Sequence, residues 1–433
     1  MQDVALRVQD TLGGVAGSLT LTKLTAGRIA PGVETPVELQ AQLDFAQPAV
    51  QGELRDNTLV RLAEPATAGA PATLGVTLGE SKLAFVGTAG GTRFGRAEIA
   101  LAGTAYTAES RKLELQKLKL ALDVTPPDLA AQSLTLEGTA SASPKLLAWD
   151  LQGRWRAPGN DGPVSTSGRY ALDSGTVTAK AQLQSLDVDA LRAGAPQAPA
   201  ATTSSASASA PAAPAGKTAA AASGDNTPVD LSAAAALKGT VDATLGTLVA
   251  NGIRFSDMHV VLKGDGRTLD AAPFSAKVWN GQIQGRAQVQ PAARRLSLVA
   301  EATGIRIEQA LKDVSGRDTV QGVGRLELDL TTGGQTVGQL KSHLAGRAAL
   351  QLRDGAVKGF NLAELGRKAK AALALKKDDF EKASATEKTD FSEISASFAI
   401  ANGVARSSDL AAKSPYLRVT GEGAIDIPRS AID

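Results

Sequence analysis

Apolar residues recur at every second position over most of this sequence, and a period of two puts alternate side chains on opposite faces of an extended strand. Leu147, Trp149, Leu151 and Trp155 alternate with Asp150, Gln152, Arg154 and Arg156. Val177, Ala179, Ala181 and Leu183 alternate with Thr178, Lys180 and Gln182, and Leu326, Leu328 and Leu330 alternate with Arg325, Glu327 and Asp329. Residues 113 to 124, LELQKLKLALDV, keep the habit but change phase between Leu115 and Leu118, as a bulge or a strand break requires. The pattern returns in SFAI at 397 to 400 and LRVTGEGAIDI at 417 to 427. Strands with one apolar face are therefore the main building element.

Turn chemistry separates the runs. Asn280-Gly281 stands between Phe274, Ala276 and Val278 on one side and Ile283, Ala287 and Val289 on the other, the strongest short hairpin signal in the chain. Asp265 beside Gly266, Asp354-Gly355 and Asn402-Gly403 are expected to punctuate other runs in the same way. Helix is scarce. Asp187 ahead of Val188 and Leu191, Ile307 with Leu311, and Asn361 ahead of Leu362 and Leu365 mark short helices, with Asp187 and Asn361 as N-caps. The longest is expected at 361 to 377, with Leu362, Leu365, Ala369, Ala372 and Leu373 on one side. Arg367, Lys368, Lys370, Lys376 and Lys377 make its other side basic, but Asp378, Asp379 and Glu381 dilute that field, so a solvated face is expected rather than a lipid-headgroup contact.

Residues 194 to 228, GAPQAPAATTSSASASAPAAPAGKTAAAASGDNTP, lack the large apolar side chains that would offset chain entropy on ordering. They are expected to be a disordered linker between a β-rich groove segment, residues 1 to 193, and a second one, residues 229 to 433.

Several classes of function are excluded by what the chain lacks. Lys+Arg 46 against Asp+Glu 44, with no long block of one sign, leaves nothing to track a phosphate backbone, so nucleic acid is not an expected partner. With Cys 0 there is no disulfide, thiolate nucleophile or zinc-thiolate site. His259 and His343 are too far apart in sequence to read as a metal motif and are expected to be ordinary strand residues. Gly216-Lys217-Thr218 imitates the end of a phosphate-binding loop, but Pro211 occupies the first glycine position and no strand precedes it. Gly322 and Gly324 begin a dinucleotide fingerprint that stops at Glu327. No Ser, His and Asp set accompanies a nucleophile elbow, so no enzyme, no catalytic residue, no metal and no cofactor is expected. Tyr 3 and Trp 3 are too few for the aromatic girdles of an outer-membrane barrel, and no fixed repeat period marks a β-solenoid. Met1 is followed by Gln2 and Asp3 without a leader pattern, no run approaches the ~18 apolar residues of a membrane span, and the last residues stop within a strand pattern; a soluble fragment is the expectation.

Three blocks carry a family resemblance. GTVDATLGTLVANGIRFSDMHVVLKGDGRTL, from Gly239 to Leu269, leads into APFSAKVWNGQIQGRAQV. GVGRLELDLTTGGQTVGQLKSHLAGRAALQLRDGAVKGFNLAEL runs from Gly322 to Leu365, and TDFSEISASFAIANGVARSSDLAAKSPYLRVTGEGAIDI from Thr389 to Ile427. In order and glycine placement these resemble the AsmA family over residues 229 to 433, while residues 1 to 193 resemble it only in strand-rich style, with Leu186 to Leu191 as a local echo. The resemblance implies an envelope protein of Gram-negative bacteria, periplasmic and inner-membrane anchored, that supports outer-membrane biogenesis in the manner of bridge-like lipid-transfer proteins. The family's N-terminal membrane helix and its usual continuation beyond residue 433 are not in this sequence.

The fold class expected is mainly β: an elongated, curved antiparallel sheet forming an apolar groove, with a few short helices. Its expected function is to shield phospholipid acyl chains, and the candidate groove residues are Phe274, Val278, Leu326, Leu328, Leu330, Leu350, Leu352, Phe398, Ile400, Leu417 and Val419. Leu, Val, Ala and Ile present no polar atoms, so binding is expected to be unselective for headgroup, with a membrane surface or envelope proteins as further partners. The alternative is a secreted or periplasmic β-rich structural or adhesion protein that moves no lipid.

Overall fold

The computed structural model describes residues 4–10, 15–62, 76–107, 111–195, 225–358, 388–414, 418–429 and 431–432. The helix expected at 361 to 377 with its Asn361 cap, the Gly216-Lys217-Thr218 tripeptide, most of the expected linker and Leu417 lie outside these residues. The chain divides into two compact units, Met1–Ser204 with Thr240–Asn251 and Ser205–Gly239 with Gly252–Asp433.

The first unit is a run of strands: β1 (Val4–Asp10), β2 (Val15–Ala26), β3 (Glu34–Gln47), β4 (Ala49–Leu62), β5 (Val76–Ala89), β6 (Thr92–Thr107), β7 (Lys112–Thr125), β8 (Gln132–Ala142), β9 (Leu146–Ala157), β10 (Asn160–Ala171) and β11 (Thr176–Asp187). Each pairs antiparallel with the next. Helix α1 (Val188–Ala193) follows, capped as expected by Asp187, whose Oδ1 accepts from the Ala190 amide at 2.8 Å. The phase change between Leu115 and Leu118 is a register shift in the β7–β8 ladder at those residues.

The second unit begins with α2 (Ser232–Ala236) and, after β12 (Lys238–Ala250) in the chain, most of which belongs to the first unit, continues with β13 (Ile253–Asp265), β14 (Leu269–Val278), β15 (Gly281–Gln290), β16 (Arg295–Arg306), α3 (Ile307–Ser315), β17 (Val320–Gly333), α4 (Val337–Ser342), β18 (Ala345–Lys358), β19 (Lys388–Ala401), β20 (Val404–Lys413), β21 (Arg418–Asp426) and β22 (Ala431–Ile432). From β13 to β22 each strand again pairs antiparallel with its successor. The protein is thus mainly β, antiparallel, with short helices. This is what one apolar face per strand and connections that are mostly short dictate.

The turns depart from expectation at two places. The β14–β15 hairpin forms, but its two positive-φ residues are Trp279 (49°) and Asn280 (61°), while Gly281 already pairs with Val278. A left-handed conformation costs a bulky residue about 1–2 kcal/mol. Here the Trp279 indole packs against the core and its Nε1 donates to Asp313, which offsets that cost. Asp354-Gly355 does not end a run: β18 continues through it, with Asp354 at φ 49° in the register shift of the β17–β18 ladder between the pairs Gln321–Ala356 and Val323–Arg353. A Cβ on Gly355 would lie 2.0 Å from the Gln321 carbonyl oxygen, so the close passage of the strands, not a turn, requires this glycine. Asn402-Gly403, with φ 50° and 75°, does form the β19–β20 hairpin.

His343 is also placed differently from expectation. It is the C-cap of α4, a helix begun by Thr336, and its Nδ1 lies 2.8 Å from the Gly333 carbonyl oxygen; the strand period ends there because Thr336 accepts from the Gln339 amide. His259 is a strand residue of β13, opposite Ser275. The core of this unit sits at one end of the sheet, where Ala302, Ile305, Leu352 and Phe391 meet Ile307 and Leu311 of α3. Gly316, at φ 69°, caps that helix by donating its amide to the Lys312 carbonyl at 2.9 Å.

Candidate functional site

In β17 Leu326, Leu328 and Leu330 are half-buried and Arg325, Glu327 and Asp329 exposed, so the alternation read as facing holds residue by residue. Cross-strand register extends this face sideways. Phe274 lies opposite Gly285, Gly285 opposite Ala300, then Leu328, Ala348 and Phe398 in turn, one residue from each of six neighbouring strands. A second row runs Ala276, Ile283, Ala302, Leu326, Leu350 and Ala396, and a third takes Leu298, Leu330, Gly346 and Ile400. Directly opposed side chains stand about 5 Å apart, so each row is continuous hydrocarbon or backbone. The dominant packing in this unit is between successive strands, with α3 against β16 and β17, α4 against β17 and α2 against β13 and β15. Among the described residues the face is therefore that of a single layer.

The expected site residues separate into two groups. Phe274, Leu326, Leu328, Leu330, Leu350 and Phe398 are half-buried on the face, and Val419, opposite Ala412, is exposed. Val278, Leu352 and Ile400 are buried, at 3%, 3% and 8% exposure. Leu352 belongs to the cluster closed by α3, so it serves as packing. Leu417 lies outside the described residues.

The sheet also has a hollow that sequence reasoning missed. A depression of about 1160 Å³ takes from each of β16 to β19 two residues flanking the apolar row, Val299 and Glu301, Glu327 and Asp329, Arg347 and Ala349, Ser397 and Ala399, with one apolar-row residue between them. Alternate side chains point to opposite faces, so the charged residues of this lining share one side of the sheet. In the first unit a depression of about 860 Å³ follows the same rule around Trp149, lined by Ala148 and Asp150, Ser167 and Arg169, Thr178 and Lys180. No motif marks either, because their polar residues are simply the other half of each alternation.

Part of the charge on that side is paired. Arg325 bridges Glu301 at 2.8 Å and Glu327 at 2.9 Å, and Lys413 meets Glu393 at 2.7 Å. The hydrogen bond from Lys413, with another from Gln351, holds the Glu393 carboxyl below the ordinary carboxylate range. Among the described residues no group of three or more His, Cys, Asp or Glu is arranged to hold a metal ion, and no helix is long and apolar enough to cross a membrane.

The leucine-bearing face of the first unit follows similar rows. Leu122, Ala97, Phe85, Leu54 and Ala41 oppose one another in sequence across β7 to β3. Trp149 and Trp155 join this face on β9, their indole nitrogens donating to Thr166 Oγ1 at 3.1 Å and Gln132 Oε1 at 3.3 Å.

Compared with known families, residues 97–410 match the family model described as the AsmA family. The match begins well inside the first unit, beyond the blocks that carried the resemblance. No curated protein and no solved structure matches the chain.

Proposed function

The chain belongs to the AsmA family, and on that premise we propose that it is a periplasmic lipid-handling scaffold of the bacterial envelope, whose leucine-bearing sheet face shields phospholipid acyl chains in support of outer-membrane biogenesis. The observation that carries this reading is the row Phe274, Gly285, Ala300, Leu328, Ala348 and Phe398, apolar from strand to strand on a single-layer sheet. Exposing acyl chains to water costs roughly 0.8 kcal/mol per methylene, on the order of 10 kcal/mol for one chain. A continuous apolar face removes most of that cost without any covalent step. The protein acts by solvation and not by catalysis.

The test places a photo-crosslinker at Leu328 or at Glu327, adjacent residues on opposite faces. Phospholipid should be captured at Leu328 and not at Glu327. Equal capture at both, or none at Leu328 in a folded protein, rejects the reading in favour of a structural or adhesive role.

A further inference from the structure

The alternation of the first unit fails on β4. On β4 the residues of the leucine-bearing face run Gly52, Leu54, Asp56, Thr58 and Val60, so a carboxylate and a hydroxyl stand where apolar side chains are due. Asp56 lies between Leu39 of β3 and Leu83 of β5, and Thr58 between Val37 and Ser81. Ser81 in turn faces Leu101 of β6. Among the described residues of β2 to β11, register places no other charged side chain on this face.

Two observations show that this notch is incomplete. Thr58 Oγ1 donates to the Asp56 carboxylate, at 3.0 and 2.9 Å from its two oxygens, and among the described residues nothing cationic pairs with it. The neighbouring cations are committed on the opposite face, Arg55 to Glu53 and Lys82 to Glu98. Independently, Ser81 is 8% exposed, and its buried Oγ has no hydrogen-bond partner, the one such side-chain atom among the described residues. A buried polar group left unpaired is a net cost, and so is a carboxylate with hydrocarbon on both sides.

We propose that this notch receives the ammonium group of an aminophospholipid headgroup. The proposal rests on the reading that acyl chains lie along this face, and it departs from the unselective binding expected of leucines alone. An ammonium carries three N–H donors and no acceptor. Asp56 supplies the countercharge and a free lone pair, and the oxygens of Thr58 and Ser81 supply two more acceptors on the same side of the sheet. A glycerol headgroup brings only the negative phosphate, which Asp56 repels. A trimethylated ammonium has the charge but no N–H to donate.

The experiment incubates the full chain with vesicles of equal phosphatidylethanolamine, phosphatidylcholine and phosphatidylglycerol, re-isolates it and quantifies the retained lipids by mass spectrometry. The wild type should hold phosphatidylethanolamine in roughly fivefold excess over phosphatidylglycerol, the preference one partly solvated charge pair supports. Asp56→Asn keeps the shape and the bond from Thr58, so it should fold normally, bind as much lipid in total, and lose the excess. Ser81→Ala should reduce the excess with no loss of melting temperature, because the hydroxyl makes no internal bond. Lipid retained in the vesicle ratio, or an excess that survives Asp56→Asn, overturns the proposal while leaving the groove intact. No retained lipid at all overturns the underlying groove reading instead. Ethanolamine alone is the control for a free amine: binding as tight as that of the phospholipid would assign the notch to a small amine and overturn the headgroup proposal.

Discussion

Trp279 Nε1 donates a 2.9 Å hydrogen bond to Oδ2 of Asp313, tying the turn of the β14–β15 hairpin to helix α3. The same indole packs against the cluster of Ile305, Ile307 and Leu352, so the bond holds α3 across one end of the apolar face. Asp313→Ala should lower stability by about 1 kcal/mol, the net worth of an exposed hydrogen bond to a charged group, with Trp279 fluorescence shifted to the red. Urea denaturation followed by that fluorescence measures both. An unshifted spectrum would show that packing alone orients the indole.

The division of the candidate residues into packed and open ones predicts unequal costs. Leu352→Ala removes a side chain that is 3% exposed inside the α3 cluster and should cost about 3 kcal/mol. Leu328→Ala, on the half-buried part of the same face, should cost about 1 kcal/mol. Leu328→Asp should leave a folded protein that no longer passes lipid between vesicles, since an unpaired charge in a hydrocarbon path costs several kcal/mol. Global unfolding of Leu328→Asp, seen by circular dichroism, would mean that Leu328 is core.

Two glycine substitutions separate close strand passage from mere flexibility. In Gly355→Ala the new Cβ would stand 2.0 Å from the Gln321 carbonyl oxygen and 2.4 Å from Phe391 Cζ, so a loss of about 2 kcal/mol or more is expected. Gly95→Ala meets nothing nearer than the Asp123 carbonyl oxygen at 3.7 Å and should leave the midpoint almost unchanged. Equal midpoints for the two variants would refute the tight passage of β18 beside β17.

Asp161 on β10 provides the pH-dependent prediction. Its hydrogen bond with Arg154, at 2.6 Å, and the charges of Arg154 and Arg156 hold its carboxyl below the ordinary value of about 3.9. A carboxyl lowered by folding contributes stability that is fully present above that ordinary value and is lost as pH falls through the depressed one. The stability difference between wild type and Asp161→Asn should therefore be flat above about pH 5 and vanish in the acid range, and it should shrink with salt because all three groups are exposed. A difference that grows on acidification would contradict the assignment.

Facing was legible in the residues alone, because a period of two is a local property: Leu328 and Glu327 point apart whatever the rest of the chain does. The phase change between Leu115 and Leu118, the Asp187 cap and the scarcity of helix were legible for the same reason, as each depends on neighbours a few positions away. Depth was not. Leu328 and Leu352 share a face and a residue type, yet only Leu352 is sealed, because α3 and Phe391 arrive from other parts of the chain to cover it. Trp279 takes a left-handed turn position that its own propensity disfavours, because a contact 34 residues away compensates. Asp56, Thr58 and Ser81 likewise read as scattered polar residues until strand register, set by turns and bulges along the meander, brings them side by side. Local alternation settles which side chains share a face, whereas coverage and the meeting of polar groups come from the fold, because burial and register are sums over contacts between distant segments.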